Sequence, residues 1–520
     1  MTGRKVRPAR SRLLANRLIL AVLVLVVLAA LFGVARISRP IALGSAAAAV
    51  SAPARLPVTS ALVACPAPGS GGLTGGGLAV ASSPATTGTG QALVTGLSAV
   101  GGTRSGNGVG KTLHILTQPG QLKIARIPAA TPVPKKQAKI SKMAGGLVPT
   151  TTGRGGVIIA AIGSMAQGFD AEQLTPAGLP TARCQAPGSD FWFVSPGAAK
   201  LHIQLYLLNP DSLPADAAVS VQTDSGPLLG SPDSGIVVPP HSMIVQTLDK
   251  LVHAATAVAL HVTTSTGRVV AAVSETSSAA KPGIWLPVAE QPTTQQVLAG
   301  LPGSPGTREL YVTVPGNAAA QVKVTAVTPR GTYQPTGGNG ISLLGHVTTG
   351  LAIPSLGGIP ATIKISANVP VTAVLEVPGG PPGAPGAFIS GSGPVQEQGV
   401  VAASPVGAGG STLLVLSAPQ HAASVRIAQA LPGAQLTGQS GQVVQVPARS
   451  SVQVKIRLPR RSAKLTEVSI VVTPLAGSGP VYAARVALSG STVQAILPVI
   501  SSPTQILLPD VTQSLVAILR

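Results

Sequence analysis

The sequence predicts a mainly β protein: an N-terminal transmembrane helix followed by tandem antiparallel β-sandwich modules of the immunoglobulin-like kind. Three observations predict it. First, Leu18 to Ala35 is free of charge and consists mostly of Leu, Val and Ala, about long enough to cross a hydrocarbon core at ~1.5 Å of rise per residue. Second, 61 glycines and 48 prolines punctuate the chain too often for long helices, while aromatics are only 2%. Cores must therefore come from Val, Ala, Leu and Ile, which in short Gly- and Pro-bounded runs favour strands. Third, beyond residue 200 a set of alternating strands recurs at intervals of ~100 to ~112 residues.

Residues 1–17 form a basic tail with Arg4, Lys5, Arg7, Arg10, Arg12 and Arg17, against only Arg36 and Arg39 just after the apolar span. That asymmetry puts the N-terminus in the cytoplasm and the bulk outside. Residues 18–35 are read as an uncleaved signal anchor, since the apolar core exceeds that of a cleaved signal. The small-residue tract near Ala46–Ala54 would allow cleavage instead and give a secreted protein. Residues 36–57 read as a linker.

The net charge is +21, and no Asp or Glu precedes Asp170. On an extracytoplasmic chain such a field suits an anionic cell-wall polymer or lipid surface. A chain outside the cell with few stacking aromatics excludes nucleic acid.

Residues 58–198 read as a divergent, Cys-bounded β module. Thr112 to Arg126 suggests a hairpin around Pro119-Gly120, and Gly156 to Gly163 a strand. The chain's two cysteines, Cys65 and Cys184, sit in similar loops, CPAPGS and CQAPGS. On the outer face of a membrane they most simply form one disulfide. Directly after the second comes Phe191-Trp192-Phe193, either a packing plug beside the disulfide or an exposed aromatic contact for a glycan or partner.

Three further modules follow, at residues 199–291, 306–390 and 410–520. Their closing strands align at Val269–Val273, Val371–Leu375 and Val481–Arg485, with Val157–Ile162 as the closing strand of the earlier copy. A period near 100 residues matches an immunoglobulin-like sandwich. The alternative is one large, closed, propeller-like β architecture.

No stretch carries a catalytic constellation. Gly106 to Thr112 (GNGVGKT) invites a phosphate-loop reading, but Ser105 stands where the first glycine belongs. The histidines are scattered, and no acidic loop has the spacing of a metal site. No cofactor is expected. Arg449, Lys455, Arg457, Arg460, Arg461 and Lys464 form a basic cluster in the last copy, a candidate contact for an anionic partner.

Four segments together resemble a known family: Gly163-Ser164-Met165-Ala166-Gln167-Gly168, Ala171-Glu172-Gln173, Cys184 through Phe193, and Leu207-Leu208-Asn209-Pro210. They look like domain-of-unknown-function family 5719, actinobacterial membrane proteins. The resemblance implies a single-pass cell-envelope protein and carries over no catalytic residue. The expected function is a non-enzymatic scaffold or binding component of the envelope. An envelope enzyme or accessory subunit of a glycan-processing complex, and a glycan-binding module, are the alternatives.

Overall fold

A computed structural model describes residues 22–33 and 55–508, apart from 67–76, 84–89, 100–112, 118–124, 129–154, 176–178, 198–200, 229–233, 253, 278–282, 304–305, 355, 379–385, 408–409, 431–440 and 459–465. The chain forms two compact units: residues 1–56 with 507–520, and residues 57–506. In the first, residues 22–33 are helical, with Leu and Val side chains exposed all round. Among the described residues no helix is long and apolar enough to cross a membrane. The ends of the predicted span, the tail 1–17 and the tract 46–54 lie outside the described residues.

The 57–506 unit is mainly β and repeats one topology four times. The first repeat has eight strands: Ser60–Pro66, Gly77–Ala81, Gly90–Gly96, Leu113–Thr117, Ala125–Pro128, Gly156–Gly163, Asp170–Leu174 and Pro180–Arg183. They form two four-stranded sheets, ordered first-sixth-third-fourth and eighth-seventh-second-fifth.

The second repeat uses the same orders with Asp190–Pro196, Leu201–Asn209, Ala215–Thr223, Ser234–Val238, Ser242–Thr247, Ala257–Thr266, Val270–Ser277 and Ile284–Leu286. The third uses Thr293–Leu301, Arg308–Thr313, Ala320–Thr328, Ile341–Leu343, Thr348–Ile353 and Ala387–Ser390, with the 17-residue strand Ala361–Val377 filling both the sixth and seventh places. The fourth uses Gly399–Pro405, Ser411–Ala418, Ala423–Ala430, Gln442–Val446, Ser450–Lys455, Glu467–Pro474, Tyr482–Ser489 and Thr492–Pro498. Pairings within the repeats are antiparallel.

Two burial patterns explain which strands go where. Third strands alternate, as in AQVKVTAVT with its pattern BeBeBiBBB, because one face meets the core and the other meets water. Second strands and several first strands are apolar without alternation, because both faces are covered. In Ser411–Ala418, Leu414 and Leu416 enter the core of their own repeat while Val415 enters that of the third. In Leu201–Asn209, Leu205 and Leu207 face inward while Tyr206 and Leu208 meet Ala64 and Ile158 of the first repeat. Tyr311, Val374 and Phe388 of the third repeat join the core of the second. Ala79, Ala81 and Leu174 of the first repeat pack on Val400, Ala402 and Val471 of the fourth. Each repeat thus touches two others, and the first touches the last: the unit is a closed ring of four. Backbone bonds from Val58 to Thr504 (2.9 Å) and from Gly168 to Pro503 (3.2 Å) tie its two ends together.

The disulfide forms as expected between Cys65 and Cys184, 119 positions apart. It links the first strand of its repeat to the end of the eighth, and so joins the two sheets. Beside it Ala64 and Gln185 exchange backbone hydrogen bonds of 2.8 and 3.0 Å.

Several sequence expectations meet different geometry. Asp190–Pro196, assigned from sequence to the Cys-bounded module, pairs with Ala257–Thr266 of the next repeat. Thr293–Leu301 and Gly399–Pro405, left between modules, are likewise first strands. The first strand returns beside the sixth, a long-range pairing that no local periodicity signals. Val157–Ile162 lies in a sixth strand, whereas Val371–Leu375 lies at a seventh place. Leu113–Thr117 and Ala125–Pro128 pair in different sheets, so they form no hairpin. GNGVGKT lies outside the described residues.

Replacing both Cys65 and Cys184 by Ser should lower stability by about 3–5 kcal/mol, since the bond closes a long loop. Equilibrium denaturation of the two proteins without reductant measures it, and the gap should vanish when reductant is added to the parent.

Candidate functional site

Two features stand out: a buried ion cluster, and a cavity where all four repeats converge. The cluster joins the first and fourth repeats. Asp170, Glu172 and Arg183 come from the seventh and eighth strands of the first repeat, and Arg485 from the seventh strand of the fourth. Asp170 and Glu172, two positions apart in one strand, have their side chains on the same face, and the whole strand is buried. Arg183 Nε donates to Asp170 Oδ1 at 2.7 Å, and its Nη1 donates to the Pro498 carbonyl at 2.7 Å. Asp170 Oδ2 accepts from the Ala402 amide at 2.8 Å. Arg485 Nη1 pairs with Glu172 Oε2 at 2.6 Å, with both side chains fully buried, and also donates to the Ala403 carbonyl. Arg183 Nη2 stands 3.9 Å from Glu172 Oε1, too far for a hydrogen bond. Burial pushes the Glu172 carboxyl up to about 7 against the pull of Arg485.

The cavity, about 280 Å³, is lined by residues of all four repeats, and in particular by the four eighth strands. Trp285, Phe388 and Leu497 supply apolar wall, while Gln173, Arg183 and Gln494 supply polar groups. Gln173 is held by its amide, which donates to the Pro66 carbonyl at 2.8 Å. Arg183 therefore belongs to both features.

A second set of buried acids lies between the second and third repeats. Glu275, in a seventh strand, is 2% exposed. Burial pushes it up to about 8, offset in part by a hydrogen bond from Ser195 and reinforced by Glu376. Tyr311 donates to Glu376 Oε2 at 3.2 Å, and burial raises the Glu376 carboxyl as well. Among the described residues no group of three or more His, Cys, Asp or Glu is placed to hold a metal ion.

Of the two readings of Phe191, Trp192 and Phe193, an exposed contact is ruled out by their burial, at 6%, 4% and 1% exposure. They lie in the core of the second repeat, because their strand is paired to Ala257–Thr266 and covered on both faces. Trp192 stacks on His261 at 3.9 Å between ring centroids, and His261 Nε2 lies 2.9 Å from Asp190 Oδ1. They are a packing plug, and a glycan platform there is removed. In the basic cluster, Arg449, Lys455 and Arg457 are exposed. Arg460, Arg461 and Lys464 lie outside the described residues.

Sequence reasoning missed the ion cluster. Its signal was present: Asp170 and Glu172 are the chain's first acids, and Arg485 interrupts the apolar run YAARVALS. A charge inside a strand without alternation reads as buried and partnered.

Residues 135–457 match the family of unknown function DUF5719. The chain belongs to that family. The motifs that carry the resemblance now have positions. Glu172 is in the ion cluster, Gln173 lines the cavity, and Cys184 is in the disulfide. Asn209 pins the turn after its strand through bonds to the Leu213 and Val238 carbonyls at 2.7 and 3.0 Å. No curated protein matches the chain. An anti-sigma factor domain-containing protein from Clostridium clariflavum aligns over 65% of this chain and 85% of its own at 10% identity. Its TM-score of 0.12 is too low to carry an argument.

Glu275 sets a pH dependence. In the unfolded chain its carboxyl titrates near the usual ~4.3, and in the fold near 8. The folded state therefore holds the extra proton between those values, and its stability is highest at the acidic end and falls as pH rises through about 8. Denaturant midpoints at pH 5 and pH 9 should drop across the range, and Glu275→Gln should flatten the slope. An unchanged slope in that variant would show that Glu275 is not its source.

Proposed function

We propose that this chain is a membrane-anchored, extracytoplasmic β-repeat protein that serves as a non-enzymatic scaffold or binding component of an actinobacterial cell envelope. The observation that carries this reading is the Cys65–Cys184 disulfide, since disulfides persist in oxidising compartments. The charge-free helical stretch at residues 22–33, apolar on all sides, suits lipid rather than water. The six cations before it and the two after it favour a cytoplasmic N-terminus.

We read each repeat as an immunoglobulin-like sandwich with its ends exchanged. The first strand takes the place beside the sixth, and the seventh the place beside the second, the reverse of the immunoglobulin arrangement. Ring closure then joins the sandwich and propeller-like expectations: two-sheet modules, rather than single-sheet blades, go round the circle. The exposed Arg449, Lys455 and Arg457 would meet an anionic wall polymer or lipid at the rim of the fourth repeat.

Alkaline carbonate extraction of native membranes tests the placement. The full chain should stay in the pellet, be digested by protease added outside intact spheroplasts, and become extractable when residues 1–35 are deleted. Release of the full chain by carbonate, or protection from the external protease, would contradict the reading.

A further inference from the structure

We propose that the cavity at the centre of the ring is a binding site for a short, uncharged, extended peptide segment, held by strand addition to the eighth strands. The inference rests on the ring and not on membrane placement.

The way the strands line the cavity carries the argument. A strand that offers a face contributes every second residue. Here the lining residues run consecutively: 181–183, 283–288 and 494–498. Consecutive residues line a space when the strand presents its edge, so the backbone amides and carbonyls themselves border the cavity. Each eighth strand is bonded along one side only, to a seventh strand or to the second half of Ala361–Val377. Among the described residues no backbone hydrogen bond joins one eighth strand to another. Sheet edges of this kind are templates for an added strand. Proteins ordinarily hide such edges, and this ring gathers four of them around one space.

The remaining chemistry selects the occupant. Arg183 is the one charged side chain among the cavity's described lining residues, and Asp170 already neutralises it at 2.7 Å. The site therefore offers no counter-charge to an ionic ligand. Gln173 and Gln494 present amides, and Leu497 an apolar wall. The cavity rings, Trp285 and Phe388, are only 8% and 5% exposed, so neither offers an open face on which a sugar would stack. A volume of about 280 Å³ is at the low end for small-molecule pockets and fits a few small residues of a chain, not a folded partner.

The test uses the purified full chain in detergent. A panel of acetylated, amidated tetrapeptides of Ala, Val, Ile, Leu and Thr is titrated by calorimetry, each beside a twin with every backbone amide N-methylated. At least one capped peptide should bind saturably, and its twin should bind at least tenfold more weakly because it lacks the N–H donors. Gln494 is exposed on the cavity rim, so Gln494→Phe should retain the parent's melting temperature and lose at least tenfold in affinity. No saturable binding across the panel, equal binding of the twins, or parent-like binding by a folded Gln494→Phe protein would each overturn the proposal. Anchoring in the membrane is read separately by carbonate extraction and stands or falls independently.

Discussion

The contact between Glu172 and Arg485 is where the ring closes. The two residues are far apart in sequence, in the first and fourth repeats, and both are removed from water. A buried pair of this kind adds little net stability over an apolar pair of the same size, because desolvation offsets the attraction. Its effect lies in what it forbids. If the first and fourth repeats dock in another register, the Glu172 carboxylate and the Arg485 guanidinium are left buried without their ionic partners, at several kcal/mol each, while Asp170 and Arg183 lose the Ala402 amide and the Pro498 carbonyl. The apolar patch around the cluster, Ala79, Ala81, Val400 and Ala402, is built of small side chains and would tolerate sliding. The ions fix the register, and the Ala402 and Ala403 backbone groups that they bind anchor it to the main chain.

That closure gives the central cavity its fourth wall. Arg183 couples the two, since the same side chain holds Asp170 in the cluster, binds the Pro498 carbonyl of the fourth repeat and lines the cavity. The disulfide adds a local restraint to the same corner, because Cys184 directly follows Arg183. The repeat that bears most of the ring-closing chemistry is thus also the one with a covalent brace between its sheets. Apolar contacts at the other three junctions have no comparable ionic constraint among the described residues, apart from the acids Glu275 and Glu376 between the second and third repeats.

The β class, the repeat period and the disulfide were legible in the sequence, because each has a local or countable signature: Gly and Pro punctuation, alternation in third strands such as Ala320–Thr328, and two cysteines alone in the chain. Repeat boundaries were not. Thr293–Leu301 finds its partner dozens of residues later in Ala361–Val377, and strand addition of that kind leaves no mark in the strand itself. The candidate site was hidden for a related reason. Runs such as LLVLSA and GVVAASP lack alternation because two repeats cover them, and the sequence alone does not say that the covering element is another repeat of the same chain. The aromatic triplet was legible only in part: the sequence offered Phe191-Trp192-Phe193 as a packing plug or as an exposed contact, and burial in the core of the second repeat decides for the plug.

The central claim is that four repeats close into a ring rather than extend as a string of modules. Pulsed electron paramagnetic resonance between spin labels at Thr59→Cys and Gln505→Cys tests it most directly. Both sites are exposed and sit beside the Val58–Thr504 backbone bond, and the native cysteines are bonded to each other. A closed ring predicts one short, narrow interspin distance, even though nearly the whole chain separates the labels. A long, broad distribution would mean that the first and fourth repeats do not meet, and would contradict the account.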